Sequence, residues 1–147
     1  MRNQYGKPSF KNKEHIKFNI SHCNGLIACA VGLEEMGVDV ENIRSFDDYV
    51  VIRVCNMKEI NDIYSSHDSK RTFFTYWTMK ESLGKALGVG LHYPLRENEF
   101  IKNGDGYLCN YEGLKIKNYE IDNKFILSIC TDKNEEIILR GVNLDGR

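Results

Sequence analysis

Asp39 and Glu41 stand two residues apart in Gly37-Val38-Asp39-Val40-Glu41, a stretch in which apolar and acidic side chains alternate. As a strand, this segment puts both carboxylates on one face. Trp77-Thr78-Met79-Lys80-Glu81-Ser82-Leu83-Gly84-Lys85 reads as helix, and its i, i+4 spacing sets Glu81 and Lys85 on one helix face. Three carboxylates and an ammonium can hold a divalent cation against an anionic phosphate. Hard cations such as Mg2+ take oxygen ligands, and two adjacent acids are costly to bury without one. Each stretch also has a plainer reading. The strand can turn its acids to water, and the helix segment can be a solvated face held by an ion pair worth about 0.3–0.5 kcal/mol.

The elements that must position these residues follow from periodicity and turn chemistry. Residues 17–20 and Leu26 to Gly32 read as strands flanking the Asn24-Gly25 turn, and Val38–Glu41 as a third, which together predict an antiparallel meander. Helical periodicity then takes over: one helix capped by Ser45 or Asp47, a short one through Lys58 to Tyr64, and a long one over about Ser69 to Leu87, stopped by Gly88-Val89-Gly90. Beyond Pro94 strands return at Glu97–Lys102, Tyr107–Asn110, Leu114–Glu120 and Lys124–Cys130, with a last one over Glu136–Arg140. The expected fold is α+β: an antiparallel sheet with a central group of helices packed on it, forming a single domain over residues 1–147.

Composition narrows the function classes. The chain has 147 residues, 41% hydrophobic and 28% charged, and a net charge of −1, so no global basic field points to nucleic acid. Arg2, Lys7, Lys11, Lys13 and Lys17 stand against only Glu14 in the first twenty residues, either as a solvated segment or as part of an anion site. The five cysteines include no C-x-x-C pair, which fits reduced thiols in a cytoplasmic protein better than a disulfide framework or a zinc site. The N-terminus has no apolar signal region, and the longest apolar run, Leu26 to Leu33, is too short to cross a bilayer. Neither nucleic acid nor a membrane is expected as a partner.

Taken together, Tyr5-Gly6-Lys7-Pro8, Phe18-Asn19-Ile20-Ser21-His22, Gly37-Val38-Asp39-Val40-Glu41 and Trp77-Thr78-Met79-Lys80-Glu81-Ser82 with Lys85 resemble the 4′-phosphopantetheinyl transferase superfamily. The likeness is to its surfactin-synthetase-activating type, in the family's motif order. The resemblance implies Mg2+-dependent transfer of 4′-phosphopantetheine from coenzyme A to a serine of an acyl or peptidyl carrier protein, releasing 3′,5′-adenosine bisphosphate. It implies Asp39, Glu41 and Glu81 as Mg2+ ligands and Lys85 as a pyrophosphate contact. Ser21 and His22 would meet nucleotide phosphate, and Tyr5, Gly6 and Lys7 the adenine end. The general base is then Glu81, a metal-bound water or Glu59. Because family members of this type have two similar halves and this sequence starts just before Tyr5, it is expected to carry one half of the two-half fold. A homo-oligomer is expected to cover the exposed face. The alternative reading is a non-catalytic module that binds coenzyme A or a carrier protein.

Overall fold

The computed structural model describes residues 6–13, 15–92 and 94–143; Tyr5 lies outside them. Asn24-Gly25 folds the chain back on itself, with Gly25 at φ 94°, where a side chain would be strained. The turn joins β1 (Lys17–Cys23) and β2 (Leu26–Gly32) in an antiparallel hairpin whose Ala28 and Ala30 face inward while Ile27 and Val31 face out.

The predicted meander does not continue. β3 (Gly37–Asn42) leaves the hairpin and pairs antiparallel with β7 (Phe125–Asp132). The reason lies in β1, which offers side chains to the free edge of β3 in place of a backbone ladder. The Val38 N–H donates to Asn19 Oδ1 at 2.8 Å and the Val40 N–H to Ser21 Oγ at 3.3 Å. Buried amides need such partners, and Asn19 and Ser21, both buried, supply them. The second sheet runs β3-β7-β6-β5-β4, with β6 at Leu114–Ile121, β5 at Gly106–Cys109 and β4 at Phe100–Asn103. The strand expected from Glu97 begins only at Phe100, because Leu95–Glu97 coils into a 3-10 turn. The strand expected over Glu136–Arg140 does not form; that segment runs as irregular chain.

The helices follow their caps. Asp47 caps α1 (Asp48–Val54), and Asn56 forms a capping box with Glu59 at the start of α2 (Met57–Ser65). Asp68 starts α3 (Ser69–Leu87), and Gly88 ends it in the left-handed conformation at φ 72°. α3 lies across β3 and β7. Its buried Thr78 hydroxyl shares a 2.7 Å hydrogen bond with Ser128 of β7, while Met79, Leu83 and Ala86 pack on Ile116 and Cys130. On its other flank Phe73 and Phe74 join Val51, Val54 and Ile63 of the shorter helices. The approach to β3 is closest at Gly37, where a Cβ would lie 2.0 Å from the Ser82 carbonyl oxygen and 2.4 Å from the Ala86 nitrogen.

Since those neighbours are helix backbone and cannot move aside, Gly37→Ala is expected to cost about 3 kcal/mol of stability. Chemical denaturation read by circular dichroism checks this as a lowered midpoint with an unchanged slope.

Candidate active site

The carboxylates of interest meet where α3 crosses β3. Alternation along the strand turns Gly37, Asp39 and Glu41 toward the helix, and turns Val38 and Val40 toward Ala28 and Ala30 of the hairpin. Asp39 is 5% exposed. Its Oδ1 accepts from the Lys85 ammonium at 2.8 Å and from the Ser21 hydroxyl at 3.0 Å. Lys85 also donates to the Val38 carbonyl at 3.0 Å. Lys85 therefore spans from α3 to β3, rather than closing an ion pair along its own helix with Glu81.

The charge gathered here leaves its mark on proton affinities. Burial pushes the Asp39 carboxyl above its usual range, and the Lys85 ammonium and Ser21 hydroxyl work against that. Glu81 is pushed up to about 7, first by burial and then by the neighbouring Asp39 and Glu41 charges, with Lys85 opposing. Among the described residues three carboxylate oxygens are buried without a hydrogen-bond partner; Asp39 Oδ2 and Glu81 Oε1 lie at this crossing, and Glu59 Oε1 lies at the start of α2. Buried unsatisfied oxygens beside like charge fit a hard divalent cation, which takes carboxylate oxygens and tolerates few of them. As they stand, no three His, Cys, Asp or Glu side chains among the described residues close around a common point. The Lys85 ammonium holds Asp39, and the Arg44 guanidinium, 2.7 Å from Glu41 Oε2, holds Glu41.

The other residues singled out by sequence fall in three places. Ser21 is drawn into the acids' network, whereas His22, the next residue on β1, points the opposite way and is exposed. Gly6 (φ 87°) and Lys7 lie apart from the acids, near a cavity of about 430 Å3 lined by Lys7, Pro8, Phe10, Phe18, Glu35 and Leu87. There Glu35 takes both lysines, Lys7 at 2.6 Å and Lys17 at 3.1 Å. Glu59 is committed elsewhere. Its Oε2 accepts from the Asn56 N–H at 2.9 Å and from the fully buried Lys80 ammonium at 2.9 Å. Burial raises its proton affinity, with the Lys80 ammonium opposing. Arg44 and Asn19 had escaped the sequence reading. Arg44 follows Glu41 by three residues, past the strand's end, and its charge was the only signal available.

A short helix-covered antiparallel sheet with acids at the helix–strand crossing defines an α+β fold, and comparison with known proteins gives it a family. Residues 35–138 match the 4′-phosphopantetheinyl transferase superfamily, and the chain belongs to it. A Bacillus subtilis 4′-phosphopantetheinyl transferase is 31% identical over 134 residues, covering 86% of this chain and 60% of that protein. A Candida glabrata L-aminoadipate-semialdehyde dehydrogenase-phosphopantetheinyl transferase is 33% identical over 105 residues, 63% of this chain and 40% of that protein. The chain thus spans 60% and 40% of these two relatives' lengths. The crystal structure of Thermotoga maritima holo-[acyl-carrier-protein] synthase superposes with a TM-score of 0.55 at 16% identity, covering 69% of this chain and 64% of that one, which shows a shared fold.

The raised Glu81 carboxyl has a consequence for stability. The folded chain keeps its proton up to about pH 7, whereas the unfolded chain releases it near the ordinary value of 4.5. Between those values the folded state binds more protons, so stability falls as pH rises through the window. Glu81→Gln removes that loss. In chelator-treated buffer at pH 8 the variant is expected to be more stable than the parent by roughly 2 kcal/mol. Urea titrations of both proteins at pH 4.5 and pH 8 should show the gap opening only at the higher pH.

Proposed function

We propose that this chain carries the catalytic centre of a 4′-phosphopantetheinyl transferase. The acceptor is a serine of an acyl or peptidyl carrier protein, and the donor is coenzyme A. The serine oxygen bonds to the phosphorus that bears the pantetheine arm. The bridging P–O bond on the far side breaks, and its electron pair leaves with 3′,5′-adenosine bisphosphate. The serine proton passes to a base. The observation that supports this most is the pair of buried, unpartnered carboxylate oxygens on Asp39 and Glu81 beside the Lys85 ammonium.

Asp39, Glu41 and Glu81 would hold Mg2+, which when bound supplies neutralisation of phosphate charge. The chain's own groups do the rest. Lys85 reaches across from α3 and offers an ammonium to the diphosphate. Ser21 fixes Asp39 by donating to Oδ1 and braces β3 by accepting from Val40 N–H. Glu81, on α3 at the crossing, or a water beside it would take the serine proton. The cavity beside Lys7 and Phe18 suits the nucleotide end, with Gly6 preceding Lys7 in the chain and His22 available to a phosphate from the exposed face of β1; Tyr5, outside the described residues, would meet the adenine end by its place in the motif. A homo-oligomer in the cytoplasm is part of the same reading: Ile27, Val31 and Leu33 are each more than 60% exposed, an apolar face that a second chain would cover.

The test is to incubate the chain with apo carrier protein, coenzyme A and Mg2+ and weigh the carrier by mass spectrometry. The phosphopantetheine mass increment is expected with the parent chain, with a loss of at least ~100-fold in rate for Asp39→Ala and for Glu81→Ala. Coenzyme A binding without transfer would instead support the non-catalytic module. Transfer surviving both substitutions would overturn the metal assignment.

A further inference from the structure

We propose that Arg44 is an anion-binding residue of this site, taking oxygens of a diphosphate on the free edge of its guanidinium group. The proposal rests on the transfer reading above for the identity of the diphosphate, and on the geometry of Arg44 for everything else.

Three contacts fix the group. Nη1 donates to Glu41 Oε2 at 2.7 Å and to the Asn42 carbonyl at 3.2 Å, and Cζ sits 4.8 Å above the centroid of the Phe74 ring. Phe74 is itself 3% exposed and set edge-on against Phe73, so the surface beneath the cation is rigid. An arginine laid on an aromatic face and tied to a carboxylate has lost most of its rotamer freedom before any ligand arrives. Nη1 uses both its protons in these bonds. Nε and Nη2 bond no described residue, and the side chain is 54% exposed. The open edge is the one that presents two parallel N–H groups, the arrangement that matches a phosphate or carboxylate bidentately.

The position of that edge favours a phosphate. Lys85 holds Asp39 and Arg44 holds Glu41, so two cations flank the acids from opposite ends of a two-residue strand segment, about 7 Å long. A diphosphate carries negative charge over a comparable length. An arginine anchored to a carboxylate of the site is also placed beside the acids where the reacting group would come. An acidic side chain of the carrier remains the rival occupant, and kinetics separates the two.

Arg44→Gln and Arg44→Lys test this, with thermal melts confirming that both fold. Isothermal titration with inorganic pyrophosphate, and separately with inorganic phosphate, reads the anion site directly. Arg44→Gln is expected to weaken pyrophosphate by about tenfold, and Arg44→Lys by less, because an ammonium keeps the charge but not the fork. In steady-state transfer the same variant should lower kcat/KM for coenzyme A about tenfold or more while leaving KM for the carrier protein in place. Unchanged pyrophosphate affinity, or no binding by the parent chain, overturns the proposal. A rise in carrier KM alone also overturns it, in favour of docking. Should the parent chain transfer no phosphopantetheine, the transfer reading fails, and the pyrophosphate titration still decides the role of Arg44.

Discussion

The contact on which everything else depends is the close seating of α3 on β3 at Gly37. With hydrogen in place of a side chain there, the helix backbone at Ser82 and Ala86 comes against the strand, and no other residue type leaves room for it. That proximity lets a lysine four residues beyond Glu81 reach across to Asp39, and lets Glu81 feel the charges of Asp39 and Glu41. The Thr78–Ser128 bond fixes the helix along its axis, and the buried Lys80–Glu59 pair, with Lys80 also donating to the Leu95 carbonyl, sets its rotation. Breaking one side of such a buried pair leaves an uncompensated charge, typically a loss of 3–5 kcal/mol, so the network is stringent about geometry even where its net stabilisation is small.

The same seating creates an electrostatic problem that the fold only partly solves. Burial raises the proton affinity of Asp39 and Glu81, and the neighbouring acid charges raise it further. Lys85 answers for Asp39 and Arg44 for Glu41, but among the described residues Glu81 has no such partner, and its Oε1 is left unsatisfied. Such tension concentrates at sites that exist to bind something, where stability is given up to hold groups ready for a ligand. The chain's cations are arranged accordingly: the one on Asp39 comes from the helix, and the one on Glu41 lies on an aromatic ring with an edge to spare.

Much of this was legible in the sequence, for identifiable reasons. The long helix was readable because an apolar stripe and a terminal glycine agree over about Ser69–Leu87, and the Asp68 cap that starts it fits the same bounds. The same-face placement of Asp39 and Glu41 followed from strand alternation, and the Asn24-Gly25 hairpin from turn chemistry. What escaped was tertiary. β3 has the same local pattern whether it pairs with the hairpin or with β7, and the choice turned on Asn19 and Ser21 spending their side chains on its amides. Glu81 and Lys85 share a helix face as the spacing said, yet the lysine's partner is across the interface, which no spacing rule could show. Glu59 had the chemistry of a base in sequence but is used in space as a helix cap and a counter-ion.

The central claim is that Asp39, Glu41 and Glu81 act together as one cation site. Anomalous diffraction from crystals grown with Mn2+ addresses it most directly, since Mn2+ substitutes for Mg2+ at oxygen sites and can be located without reference to activity. A single strong peak is expected within bonding distance of oxygens from all three carboxylates, with the Lys85 ammonium moved off Asp39. A peak ligated by only one of them, or none at the α3–β3 crossing, would contradict it.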